Sequence, residues 1–142
     1  QSVEGYCEQV EVPTHPVLYK LKNLQHLFTP VKGILNPSYS ILDVVEELHP
    51  TPAMGGVPRE KALKFIREEE QMERGWYAAP IGWIDQNFNG EFAVAIRSGL
   101  IKGKKAYLYA GCGIVKESDP EAEFQETEMK FKPMLHALGG LQ

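Results

Sequence analysis

The chain of 142 residues carries a formal net charge of −4, with 43% hydrophobic and 24% charged residues. Its length suits one domain and its core, at roughly 100–200 residues per domain. The lack of a basic stripe argues against a nucleic-acid partner. No apolar run approaches the roughly 18 residues of a membrane span, and no charged-then-apolar leader is visible. Two widely separated cysteines, Cys7 and Cys112, indicate reduced thiols in a cytoplasmic protein rather than a disulfide framework.

The chain opens without Met inside a mixed polar and apolar segment and reads as a cut end. Val10 and Val12 flank Glu11 as the tail of a strand or a loop would, and Pro13 and Pro16 close that segment. Residues 17–35 predict two strands broken at Thr29-Pro30, because proline cannot donate to a sheet ladder. His26, between Leu24 and Leu27, is either a hydrogen-bonded sheet or core residue or a catalytic one. Ser40 caps a short helix over 41–48, with Asp43 as the acid of an approximate capping box.

Residues 48–58, L-H-P-T-P-A-M-G-G-V-P, are too rich in proline and glycine for a helix or a central strand. They predict a rigid loop, either a binding loop or a connector between helices. Pro58 starts the next helix, with Ala62, Phe65, Ile66 and Met72 as its buried stripe to about Arg74, and Gly75 ends it. Strands over 76–85 and 91–100 are joined by Q-N-F-N-G, where Asn89-Gly90 would supply the positive φ angles of a hairpin. Arg97 ends an almost wholly apolar run, so burying it requires an anion: a substrate carboxylate or a structural Asp or Glu.

Lys102-Gly103-Lys104 turns the chain into a strand over 106–109, after which Gly111 and Gly113 let backbone come close to a ligand. Asp119 N-caps the last helix and Pro120 suits its first position. Pro133 is expected to kink or break that helix. Glu123, Glu126 and Lys130 stand at i, i+3 and i+7 and share one face. The two acids are either a solvated helix start or a pair of Mg2+ ligands, with Lys130 as a point charge for a substrate carboxylate.

With these residues laid out, the chain resembles the chorismate-utilising enzymes, and within them the isochorismate synthases. Five motifs in family order carry the resemblance: H-P-T-P-A-M-G-G-V-P (49–58), E-R-G-W-Y-A-A-P-I-G-W (73–83), G-E-F-A-V-A-I-R-S-G (90–99), Y-A-G-C-G-I-V (109–115) and S-D-P-E-A-E-F-Q-E-T-E-M-K (118–130). The implied fold is a mixed α/β (α+β) sandwich, an antiparallel sheet covered by helices. Residues 1–142 would form the C-terminal portion of a single chorismate-binding domain.

The resemblance also implies roles. Glu126 is similar to a direct Mg2+ ligand, and Glu123 to a ligand or its water-mediated neighbour. Tyr77, Arg97, Gly111 and Gly113 match the residues that hold the ring carboxylate and pyruvyl group of chorismate, and Lys130 a lysine over the same substrate. His26 matches a histidine near the exchanging ring substituent. Ala53 stands where amine-transferring and salicylate-forming relatives typically carry Thr, which favours water as nucleophile: addition at ring C2 with loss of the C4 hydroxyl.

The family's water-activating lysine, its acidic glutamate and a further metal-binding glutamate would lie upstream of Gln1, so the chain alone is expected to be inactive. Cys112 departs from the usual Ala. Menaquinone synthesis is the favoured pathway, with a siderophore or salicylate pathway, an anthranilate synthase-like relative, or a non-catalytic anion-binding domain as alternatives. Uncovered sheet edges and apolar faces predict self-association.

Overall fold

The computed structural model describes residues 3–20 and 25–140. They divide into two compact units, one of residues up to 48 together with 84–90, the other of residues 49–83 and 91 onward. Among the described residues the sheets are two-stranded, and helices accompany them, giving the mixed α/β architecture expected.

In the first unit, β1 (Cys7–Glu11) pairs antiparallel with β4 (Lys32–Leu35) through a register shift between Glu8 and Glu11. Gln9, at φ 50°, accommodates that irregularity. Residues 17–35 make three strands where two were expected. β2 (Val17–Lys20) and β3 (Gln25–Phe28) pair antiparallel, and β4 follows the break at Thr29-Pro30. α1 (Ile41–Leu48) starts as predicted, the Asp43 carboxylate accepting from both the N–H and the hydroxyl of Ser40 at 2.7 Å.

In the second unit, the segment expected to be helix-free contains one helical turn, α2 (Pro52–Gly55). Pro52 occupies its first position, where a missing N–H costs nothing, and Gly56 leaves it at φ 72°. A Cβ on Gly55 would meet Pro50 at 2.8 Å, and one on Gly56 would meet Ala62 at 2.5 Å. The glycine pair therefore lets α2 lie directly against α3 (Arg59–Glu69).

α3 ends five residues before the predicted Arg74. The acidic run over 68–70 has no apolar face to bury, so packing does not extend the helix, and Glu70 turns to extended backbone. Of its expected stripe, Phe65 and Met72 are exposed. Residues 75–78 form a turn rather than a strand start, because Ala78 adopts φ 64° and donates its N–H to the Ala95 carbonyl.

The β5 (Pro80–Ile84) and β6 (Gly90–Val94) hairpin forms, but its positive φ falls on Phe88 rather than on Asn89-Gly90. The expected strand over 91–100 is two strands: the chain bends at 95–97 and resumes as β7 (Ser98–Lys102), which pairs antiparallel with β8 (Lys105–Tyr109). α4 (Pro120–Ala137) packs on β8 and runs continuously through Pro133, without the predicted break. Among the described residues, only Gly55 and Ala78 are buried. None of the helices is long and apolar enough to cross a membrane.

Candidate active site

Residues from 53–54, 70–77, 96–97 and 110–113, with Lys130, all of the second unit, line a cleft beside Arg74. Its guanidinium grips the Glu70 carboxylate with Nε at 2.7 Å and Nη2 at 2.5 Å, and Nη1 donates to the Met54 carbonyl at 3.1 Å. Arg74 therefore ties the end of α3 to α2, and it lies 6.0 Å over the ring of Tyr77. The fork matches carboxylate geometry, so this is a bidentate charge-assisted pair. The Glu70 carboxylate raises the Arg74 pKa above its usual value, outweighing the opposing effect of partial burial.

Tyr77, on the turn after Arg74, stacks on Tyr109 at the end of β8, with centroids 5.4 Å apart and planes 17° from parallel. A Cβ on Gly111 would approach the Tyr77 hydroxyl to 3.0 Å, whereas one on Gly113 would meet nothing within 4 Å. Gly111 thus allows the close approach of backbone to tyrosine. Lys130 on α4 donates to the Gly111 carbonyl at 3.0 Å and pairs with Glu126 at 2.5 Å.

The resulting cleft has a volume of about 360 Å3, within the usual range for small-molecule sites. Ala53, Tyr77, Arg97, Gly111, Gly113 and Lys130, six positions dispersed over the sequence, all line it. Arg97 is exposed, so it does not need the anionic partner that burial would require. The bend at 95–97 gives it φ 51° and lifts it out of strand alternation onto the cleft, where it is exposed. With Arg74 paired to Glu70 and Lys130 to Glu126, Arg97 leaves the lining with an excess of positive charge, so the cleft favours an anionic ligand.

Glu123 and Glu126 lie on α4, outside the cleft lining. Ser118 donates to Glu123 at 2.6 Å, and this bond, followed by one from Cys112 and the charge of Lys130, holds the Glu123 carboxyl below the usual carboxylate range. Among the described residues no three His, Cys, Asp or Glu side chains cluster as a metal site. Two carboxylates one helical turn apart are the donor type that Mg2+ takes, one or two of them with several waters, and Glu126 is here paired with Lys130. The His26 side chain lies outside what is described; its backbone pairs with Tyr19.

Sequence reasoning missed Arg74, Glu70, Tyr109 and Ser118. Arg74 and Glu70 carried a signal, an i,i+4 opposite-charge pair beside a glycine. Ser118 enters the sequence reading only as the first residue of the 118–130 motif.

Residues 1–139 match the family model for chorismate binding enzymes. The chain belongs to the chorismate-binding enzyme family. It is 65% identical over 134 residues to the isochorismate synthase MenF of Bacillus subtilis (strain 168), covering 94% of this chain and 28% of that protein. It is 48% identical to the salicylate biosynthesis isochorismate synthase of Pseudomonas aeruginosa, covering 99% of this chain and 30% of that protein. The crystal structure of the Bacillus anthracis protein assigned as the 2,3-dihydroxybenzoate-specific isochorismate synthase DhbC superposes with a TM-score of 0.91 at 41% identity, covering 99% of this chain and 38% of that one. Anthranilate synthase component I of Streptococcus pneumoniae follows at 0.86 and 32%, covering 94% and 31%. The family chain thus spans about a third of the length of these relatives, and its fold is that of the chorismate-utilising enzymes.

Proposed function

We propose that this chain supplies the chorismate-holding cleft of an isochorismate synthase that serves menaquinone synthesis. The observation that carries the reading is the convergence of Ala53, Tyr77, Arg97, Gly111, Gly113 and Lys130 on one cationic cleft. The 65% identity to MenF, against 48% to the salicylate-pathway enzyme, favours the menaquinone assignment.

In this reading Arg97 receives a substrate carboxylate in bidentate fashion. Tyr77 offers its hydroxyl beside Gly111, whose missing side chain lets the tyrosine approach, and Gly113 leaves open space for the anion. Lys130 adds a point charge, and Ala53 withholds the hydroxyl that would seat an amine nucleophile, leaving water to add at C2 as the C4 hydroxyl departs. Glu123 and Glu126 would hold Mg2+, which when bound neutralises a substrate carboxylate and the charge that develops beside it. Residues outside this chain would activate the water and protonate the departing hydroxyl.

The test is conversion of chorismate to isochorismate by the full gene product, with and without Mg2+. Turnover that EDTA abolishes and Mg2+ restores is the expected result, while the 142-residue chain alone gives none and self-associates through its exposed apolar faces. Formation of anthranilate with ammonia, or metal-independent binding without turnover, would overturn the reading.

A further inference from the structure

Ser118 has an arrangement that the cleft itself does not explain. It precedes the Asp119 cap of α4, and its hydroxyl oxygen accepts from the Val115 N–H at 3.1 Å. With that acceptor engaged, the hydroxyl proton is directed to Glu123 Oε1, 2.6 Å away. Glu123 has a second neighbour in the loop that follows β8: the Cys112 thiol, whose sulfur receives the Thr127 hydroxyl at 3.4 Å. Thr127 lies one turn beyond Glu123 on α4, so the thiol is steadied from the same helix. Glu123 thus takes the Ser118 hydroxyl bond with the Cys112 thiol as a neighbour, while Glu126 is engaged by Lys130.

A carboxylate that must meet a cation loses rotamer freedom on binding. Donors that fix it beforehand reduce that loss, and they leave its remaining lone pairs for the ion. We propose that Ser118, assisted by Cys112, is a positioning residue that presents the Glu123 carboxylate to a divalent cation. This rests on the Mg2+ reading above.

The experiment measures binding of Mn2+ alone, a spectroscopically visible substitute for Mg2+, to the full gene product by titration of the free-ion paramagnetic signal. Ser118→Ala is expected to weaken binding about tenfold, Ser118→Thr to retain it because the hydroxyl is kept, and Cys112→Ala to weaken it about threefold. Should Ser118→Ala fail to fold, Ser118→Cys, which keeps the side chain's shape but replaces the hydroxyl by a weak donor, carries the test, and unchanged affinity there overturns the proposal. Unchanged affinity in the folded Ser118→Ala protein overturns the proposal, as does equal loss in the Thr and Ala variants, which would mark a merely structural role for Ser118. Unchanged affinity in Cys112→Ala removes the thiol's part. If the unsubstituted protein binds no Mn2+, the metal reading falls and the proposal with it; if it binds and the folded variants bind equally well, the proposal alone falls.

Discussion

Tyr77 and Tyr109 stack at 5.4 Å, joining the turn over 75–78 to the end of β8 immediately before the glycines of the cleft. The Tyr77 hydroxyl is set by this stack rather than by any bond of its own that the structure records. Crowding Gly111 therefore displaces Tyr77, while filling Gly113 displaces nothing. Gly111→Ala is expected to raise the KM for chorismate at least tenfold with an unchanged Tm, since a misplacement well under 1 Å weakens an oriented contact. Gly113→Ala should leave the free protein's Tm unchanged, and ligand-binding calorimetry separates the two variants.

The Arg74 fork provides a second test. Arg74→Lys keeps the charge but gives up the bidentate geometry and the bond to the Met54 carbonyl. A loss of about 1–2 kcal/mol in stability is expected, because the two cations are not interchangeable at forked sites. Denaturant titration of the full gene product measures it, and a loss under a few tenths would contradict the role given to Arg74.

Asp85 predicts a pH dependence. The Asn89 side chain, then the N–H groups of Asn87 and Asn89, lower its carboxyl pKa below the ordinary value of 3.8. The folded protein thus holds the ionised form more favourably than the unfolded chain does. That stability is present above the unfolded value and is lost as pH falls through the lowered one. Asp85→Asn should therefore lower Tm at pH 7, with the gap to the parent closing below about pH 3. A gap that stays constant between pH 7 and pH 2.5 would show that the bonds of the hairpin tip do not depend on the charge.

Asp119 accepts from the Ala122 N–H at 2.9 Å. Asp119→Ala removes that cap and is expected to cost about 1 kcal/mol, with Asp119→Asn recovering most of it. Hydrogen exchange in the first turn of α4 would locate the effect.

The cap at Asp119, the helix after Ser40 and the turn at Lys102-Gly103-Lys104 were legible because each rests on chemistry confined to a few neighbouring residues. The bend at 95–97 was not legible. Its sequence A-I-R continues an apolar run, and what breaks the strand is a pair of bonds to Ala78 and Ala79, residues distant in sequence. The same distance hid the exposed setting of Arg97 on the cleft. At the candidate site the lining residues were readable through motif resemblance, whereas the Arg74 and Ser118 contacts depend on which side chains the turns bring together.

Because a single guanidinium joins α2, the end of α3 and the turn that carries Tyr77, these segments have no independent route to loosening on that side of the cleft. Opening should be cooperative there: amides of residues 52–56 and 70–78 would exchange with deuterium at a common rate, and an anion seated beside Tyr77 would slow them together. Occupancy of the cleft would then be readable as one shared slowing across α2 and the turn over 75–78.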